Sequence, residues 1–168
     1  MAYTARVLVV SDGVVAGTRL DRSGPALAAV LGDAGFVVDT HEVVSDGADG
    51  VAAALRRLAD GFCGLIVTTG GTGFAPRDQT PEGTGMVLER EAPGLAEAMR
   101  AVSPLGRLSR GVAGVVGRAL IVNTPGSPTG SVEQLGAILD VVPHALALLA
   151  DPHHAPHPRQ PAPVPASE

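Results

Sequence analysis

The stretch TTGGTGFAPRDQTPEGT, residues 68–84, follows directly on the apolar run CGLIV, residues 63–67. That run is short, apolar and rich in branched side chains, which predicts a strand covered on both faces. The stretch after it is rich in glycine and polar residues and places Arg77 beside Asp78. A loop of this composition is either a plain turn or a place where the backbone approaches a charged ligand.

Strand-like segments recur on both sides of this stretch. RVLVV (6–10) and FVVDTHEVV (36–44) precede it, and GVAGVV (111–116) and RALIVN (118–123) follow it. The last two flank Gly117 and predict a hairpin. Because helix-like segments separate most of the strands, the order predicts one α/β domain with three α/β/α layers. Its sheet should be mainly parallel, with an antiparallel edge or hairpin.

Two of the predicted helices border the loops of interest. One is expected to begin at Thr80 as N-cap, with Pro81 in its first turn, and to run to about Glu91. The last helix is expected to be long and to begin at a capping box formed by Ser131 and Gln134. The domain should span residues 1–151, and residues 152–168, rich in proline and histidine, should form a flexible tail.

Composition excludes several classes of function. The chain has 168 residues, a net charge of -5 and 2% aromatic residues, which argues against nucleic-acid binding. All 12 basic residues are arginine, so a Schiff-base lysine and the lysine of a phosphate loop are excluded. The single cysteine, Cys63, cannot form an intramolecular disulfide. No apolar stretch approaches the roughly 20 residues that cross a bilayer, and we expect a cytoplasmic protein without a membrane partner.

The glycine-rich loop has the composition of an anion site. Gly70, Gly71 and Gly73 are expected to adopt positive φ angles, and successive N–H groups in such a loop can bind phosphate. A carboxylate such as Asp78 belongs beside phosphates when Mg²⁺ lies between them. The alternative is that Asp78 caps the following helix or pairs with Arg77. In parallel sheets ligands bind beyond the carboxyl ends of the strands, where this loop lies.

Three segments in order, SDGVVAGTRLDRSGPAL, TTGGTGFAPRDQTPEGT and LSRGVAGVVGRALIVNTPGSP, resemble the Mog/MoaB family of molybdenum cofactor biosynthesis proteins. The resemblance covers residues 6–150, and TTGGTGxxxRDxTPE is its most specific part. It implies a molybdopterin-binding fold that is usually a homotrimer and in some members a hexamer. It implies a molybdopterin adenylyltransferase, which converts Mg²⁺-ATP and molybdopterin into adenylyl-molybdopterin and pyrophosphate. A separate molybdate insertase then uses that product.

The same resemblance implies roles for individual residues. Asp78 and Asp46 correspond to acidic residues implicated in catalysis, and they are the candidate Mg²⁺ ligands. The residues implied to bind phosphate or the nucleotide are Gly70, Gly71, Thr72, Gly73, Gly126, Ser127 and Pro128. The residues implied to bind molybdopterin are Ser11, Asp12, Ser109 and Asn123. Gly83 stands where the family usually has alanine, which should cost the helix about 1 kcal/mol.

Two other functions remain open at this point. One is a catalytically weak molybdopterin-binding or carrier protein with the same fold. The other is a domain of the competence-damage type that acts on a different nucleotide. The presence of Asp46 and Asp78 favours an enzyme, and the LSR and NTPGSP segments favour the molybdopterin branch.

Overall fold

The computed structural model of the protein describes residues 3–151 and contains a single sheet in that range. Its six strands are ordered β2-β1-β3-β6-β5-β4. Pairing is parallel among β2, β1, β3 and β6 and antiparallel among β6, β5 and β4. The strand bounds are β1 Tyr3–Val10, β2 Phe36–Val44, β3 Cys63–Thr69, β4 Arg90–Glu91, β5 Ala113–Val116 and β6 Arg118–Thr124. The predicted mainly parallel sheet with an antiparallel edge is confirmed.

The described chain has seven α-helices, of which the last two follow the final strand. Their bounds are α1 Asp12–Val15, α2 Ser23–Asp33, α3 Ala48–Ala59, α4 Thr80–Gly85, α5 Pro93–Ala101, α6 Pro128–Gly136 and α7 Val142–Ala150. A 3₁₀ turn spans Pro104–Leu108. Within residues 3–151 no helix has the length and apolar character needed to cross a membrane. The predicted tail, residues 152–168, lies outside the described residues.

Helices cover both faces of the sheet, so the architecture has the three predicted layers. Side chains alternate along β1, so that Val7 and Val9 face one layer while Leu8 and Val10 face the other. The first face packs against α2, α5, α6 and α7, and the second packs against α3. These core side chains are aliphatic almost throughout, as the low aromatic content requires.

The helix after the glycine-rich loop is shorter than predicted. It ends at Gly85, and Arg90 and Glu91 form β4 instead, because they pair with β5 at the sheet edge. Thr80 is the first helical residue rather than the cap. Its hydroxyl donates a hydrogen bond of 2.8 Å to the carbonyl of Gly70, so it joins the helix to the loop.

The predicted long final helix is two helices. Pro143 lies in the first turn of α7, and a proline cannot continue a helix because it lacks the N–H and clashes with the preceding turn. The expected capping box of Ser131 and Gln134 is wrong, since both residues are buried inside α6. Ser127 caps α6 instead, and its Oγ accepts a hydrogen bond from the N–H of Gly130 at 3.0 Å.

Packing favours glycine at position 83, whatever its expected cost to the helix. A Cβ at this position would lie 2.5 Å from the carbonyl oxygen of Ala48 and 2.8 Å from Cβ of Val51 in α3. We predict that Gly83→Ala lowers the free energy of unfolding by about 1–2 kcal/mol, because overpacking outweighs the gain in helix propensity. Urea denaturation of the purified protein measures this change.

The matched control is Gly50→Ala in α3. A Cβ at Gly50 meets nothing within 4 Å, so only helix propensity changes. This variant should be more stable by up to about 1 kcal/mol. If Gly83→Ala and Gly50→Ala changed the free energy of unfolding in the same direction, the packing explanation for Gly83 would be contradicted.

Candidate active site

A cleft of about 960 Å³ opens beyond the carboxyl ends of β1, β3 and β6. The strand order changes direction between β1 and β3, which is where open α/β sheets bind their ligands. Most residues predicted for the site line this cleft: Ser11, Asp46, Gly70, Gly71, Thr72, Gly73, Asp78, Ser109, Gly126, Ser127 and Pro128. Asp12 and Asn123 do not line it.

The glycines of the loop are required for different reasons. Gly70 and Gly71 have positive φ angles of 101° and 63°, as predicted. Gly73 does not, so the expected positive φ at that position is wrong. Gly73 is needed for space, because a Cβ there would lie 2.8 Å from Oδ2 of Asp78. The loop therefore runs close against one of the two candidate catalytic carboxylates.

Backbone N–H groups of two loops are available to a ligand. Those of Gly71, Thr72 and Gly73 make no hydrogen bond with any residue in the described range 3–151. The N–H groups of Gly126 and Ser127 are also unpaired within that range. The two loops touch, since a Cβ at Gly126 would lie 3.4 Å from Cα of Gly70. Adjacent unpaired N–H groups of this kind bind anions.

Asp46 is held by the loop that follows β1. Its Oδ2 accepts a hydrogen bond of 2.8 Å from the N–H of Asp12, and its own N–H donates to Oδ1 of Asp12 at 3.1 Å. Its other oxygen, Oδ1, faces the glycine loop, 3.1 Å from where a Cβ of Gly71 would be. The reciprocal pair thus fixes one oxygen of Asp46 and leaves the other beside the unpaired N–H groups.

Arg77 pairs with Asp12, and the alternative that it pairs with Asp78 is wrong. Its Nε and Nη2 donate to the two carboxylate oxygens of Asp12, and Nη2 also donates to the carbonyl of Asp46. The hydrogen bonds from Arg77 hold the pKa of Asp12 below its ordinary value. Asp12 therefore acts as a bridge between Arg77 and Asp46, which explains its position outside the cleft.

Asp78 does not cap α4, whose N-cap is Gln79. Its Oδ2 accepts a hydrogen bond of 3.0 Å from the N–H of Ala75 within the loop. Arg110 holds the loop from the other side, donating to the carbonyls of Gly73 and Asp78 and to the carboxylate of Glu82. The N–H of Arg110 also donates to the carbonyl of Thr72 at 2.9 Å. One residue thus fixes the loop backbone at Thr72, Gly73 and Asp78.

Asn123 lies behind the cleft and is 2% exposed. Its Nδ2 donates to the hydroxyls of Thr68 and Thr84 at 2.9 and 3.0 Å, and its Oδ1 accepts from the N–H of Val112 at 3.1 Å. These bonds join β3, α4 and the start of β5. Ser109 lines the cleft, and its Oγ accepts a hydrogen bond from the N–H of Gly111, which leaves its hydroxyl hydrogen available.

Comparison with known proteins places this geometry in a family. The sequence matches the family described as "Probable molybdopterin binding domain" over residues 6–144. The chain belongs to this molybdopterin-binding domain family. It is 38% identical over 152 residues to the molybdopterin adenylyltransferase of Helicobacter pylori strain J99, covering 85% of each chain. It is 35% identical to the enzyme of the same name from Escherichia coli K12, covering 86% of this chain and 84% of that one.

A solved structure of the molybdopterin biosynthesis enzyme MoaB from Thermus thermophilus is also similar. It has a TM-score of 0.83 and 49% sequence identity, and the match covers 88% of this chain and 96% of that one. The Mog/MoaB resemblance and the fold class that it implied are therefore confirmed.

The donor set of this molybdopterin-binding domain suits Mg²⁺. Asp46 and Asp78 each keep one carboxylate oxygen, Oδ1, without a hydrogen bond to the described chain. Residues 3–151 hold no group of three or more Asp, Glu, His or Cys side chains that could bind a metal by themselves. Mg²⁺ is usually held by one or two carboxylates, with phosphate oxygens and water completing its shell.

Several residues of the cleft were not predicted to belong to the site, although residues 19–23 lie in the segment SDGVVAGTRLDRSGPAL. Besides the predicted residues, the lining includes Arg19, Leu20, Asp21, Arg22, Ser23, Leu105, Leu108, Glu133 and Gln134. Arg110 was missed as well, although it directly follows Ser109 in the LSR segment. Its position beside Ser109 was the signal in the sequence, because a residue next to a predicted ligand often belongs to the same loop.

The pairing of Glu82 with Arg110 gives a test by pH. The hydrogen bond from Arg110 holds the pKa of Glu82 below its ordinary value. The unfolded chain therefore binds more protons in this range, and the stabilisation is complete above about pH 5 and is lost as the pH falls towards 3. We predict that Glu82→Gln flattens the fall in unfolding free energy between those pH values, measured by urea denaturation.

Glu97→Gln is the control, because Glu97 is exposed on α5 and has no ion pair within residues 3–151. Its unfolding free energy should fall with pH as steeply as that of the wild type. A slope that is equal in the wild type and in Glu82→Gln would show that the ion pair makes no contribution.

Proposed function

We propose that the chain transfers the adenylyl group of ATP to molybdopterin and releases pyrophosphate. The observation that carries this proposal is the meeting of unpaired N–H groups, from Gly71 to Gly73 and at Gly126 and Ser127, with two carboxylates in one cleft. Sites for uncomplexed anions lack carboxylates, because these would repel the ligand. A site for Mg²⁺-bound phosphates needs both kinds of group.

The charges around the cleft support anionic substrates despite the acidic chain. Arg19 and Arg22 line the cleft and make no ion pair or hydrogen bond through their side chains within residues 3–151. Arg77 and Arg110, in contrast, are engaged in holding the loops. Two arginines therefore remain to attract phosphates, while two others keep the site in shape.

The proposed reaction needs no protein nucleophile. A phosphate oxygen of molybdopterin attacks the α-phosphorus of ATP, a new P–O bond forms, and the bond to the leaving pyrophosphate breaks. Bound Mg²⁺ would offset charge on the phosphates, with Asp46 and Asp78 as its protein ligands. The chain contributes positioning, through the unpaired N–H groups and Ser109, and stabilisation of charge in a rigid site.

The Asp78→Asn variant tests the catalytic assignment. It keeps the size of the side chain and removes the charge, so turnover should fall by about a hundredfold or more. Molybdopterin binding should survive, because Ser109 is assigned to the pterin part, and Ser109→Ala should weaken that binding first. The measurement is formation of adenylyl-molybdopterin and pyrophosphate from ATP, Mg²⁺ and molybdopterin, with pterin binding measured separately.

The control is Asp60→Asn, which removes an exposed carboxylate that does not line the cleft. Its turnover should equal that of the wild type. Near wild-type turnover by Asp78→Asn would remove Asp78 from catalysis. Tight pterin binding without any turnover by the wild-type chain would instead identify a carrier protein.

We further propose a homotrimer, or a hexamer built from trimers, and a molybdate insertase as the protein that takes up the product. Family membership supports this, as do exposed apolar side chains such as Val37 and Val141. The use of ATP supports a cytoplasmic location. Light scattering at micromolar concentration should give three or six times the mass of the chain, and a stable monomer would contradict the proposal.

A further inference from the structure

The buried polar side chains of residues 3–151 fall into two groups. Most of them hydrogen-bond to the protein: Thr68, Thr69, Thr80, Thr84, Asn123, Thr124 and Ser131. The side chains of Ser23, Thr72 and Gln134 make no hydrogen bond within the described chain, although they are only 7%, 4% and 4% exposed. All three line the cleft.

Unpartnered polar groups of this kind indicate a ligand. Buried polar side chains are almost always hydrogen-bonded, because their desolvation is otherwise uncompensated. In the described range no side-chain nitrogen or oxygen is fully buried without a partner, so the amide of Gln134 reaches the cleft. The open groups are therefore on the wall that a bound molecule would contact.

Ser23 and Gln134 lie apart from the glycine-rich loop, which contains Thr72. Ser23 is the first residue of α2 and Gln134 is in α6, and these two helices pack together. Ser127, Gly130 and Gln134 share one face of α6 by their spacing, and Gln134 lies about 10 Å along the helix from Ser127. This separation matches the reach of a nucleoside whose phosphates lie at Gly126 and Ser127.

The chemistry of these side chains suits a purine. A glutamine amide carries one acceptor and two donors side by side, and it pairs with the amino group and a ring nitrogen of adenine. Guanine presents two acceptors at the corresponding edge, so the same amide does not match it. Leu20, which is 78% exposed and lines the same cleft, offers apolar surface to the face of a base.

We propose that Ser23 and Gln134 form the base subsite of this cleft and select adenine over guanine. This inference rests on the proposed function only in taking a nucleotide as the ligand. Gln134 reads the edge of the base through its amide, and the hydroxyl of Ser23 supplies a further hydrogen bond. The glycine loop holds the phosphates and has no part in the selection.

Calorimetric titration of the full chain with Mg²⁺-ATP, Mg²⁺-GTP and inorganic tripolyphosphate tests the assignment. Gln134→Met keeps the length of the side chain and removes the amide. It should weaken ATP binding by about tenfold or more, the scale of one bidentate base contact, and abolish the preference for ATP over GTP. Tripolyphosphate affinity should stay unchanged, since that probe has no base.

Ser131→Ala and Ser23→Ala form a matched pair of buried serines. Ser131 donates its hydroxyl to the carbonyl of Pro128, so its loss should lower the melting temperature and leave the ATP preference intact. Ser23 has no protein partner within residues 3–151, so Ser23→Ala should leave the melting temperature unchanged or raised and weaken ATP binding. A lower melting temperature together with unchanged ATP binding in Ser23→Ala would overturn the role of Ser23.

Unchanged ATP affinity and preference in Gln134→Met would overturn the inference, as would an equal loss of tripolyphosphate affinity or a wild-type chain that does not bind ATP. The proposed function fails separately. A chain that binds ATP through Gln134 but forms no adenylyl-molybdopterin would keep the base subsite and refute the transferase.

Discussion

The close approach of the loop after β3 to the end of β1 is the constraint on which the site depends. A Cβ at Gly70 would lie 2.2 Å from the carbonyl oxygen of Val10, so only glycine fits there. Its φ angle of 101° then turns the chain away from the sheet. Because the following residues leave the strand without pairing, their N–H groups stay open to the cleft. The close approach of Gly70 to the end of β1 therefore also creates the anion site.

The sequence predicted the sheet better than the ends of the helices. Residues 7–10 of β1 and 65–67 of β3 are runs of branched apolar residues, and the burial of these runs on both faces is visible in composition alone. β4 has no such signal, because Arg90 and Glu91 are exposed and become a strand only through pairing with Val115 and Gly114. The break before α7 could have been predicted, since a proline such as Pro143 is tolerated in the first turn of a helix but not in its interior.

Individual site residues followed from their positions after strands, but their partners did not. Arg77 reaches Asp12, 65 positions away, although Asp78 is its neighbour in the chain. Gly83 was predicted only to weaken its helix, because helix propensity contains no information on the close approach of Ala48. Ser23 lies in the segment SDGVVAGTRLDRSGPAL and Gln134 in the predicted capping box, but neither was predicted to bind a ligand. Only the absence of side-chain hydrogen bonds in the described part of the folded chain distinguishes them. Each of these is a contact between distant segments.

The exclusive use of arginine fits the way this site is held together. Arg110 donates at once to the carbonyls of Gly73 and Asp78 and to the carboxylate of Glu82, which needs the several directed donors of a guanidinium group. Arg77 joins Asp12 and the backbone of Asp46 in the same way. A lysine ammonium is a single point charge on a flexible stem, and it could not fix two backbone segments together. Loop rigidity in this cleft thus comes from arginines directed at backbone carbonyls, which leaves the opposing N–H groups and carboxylate oxygens for the substrates.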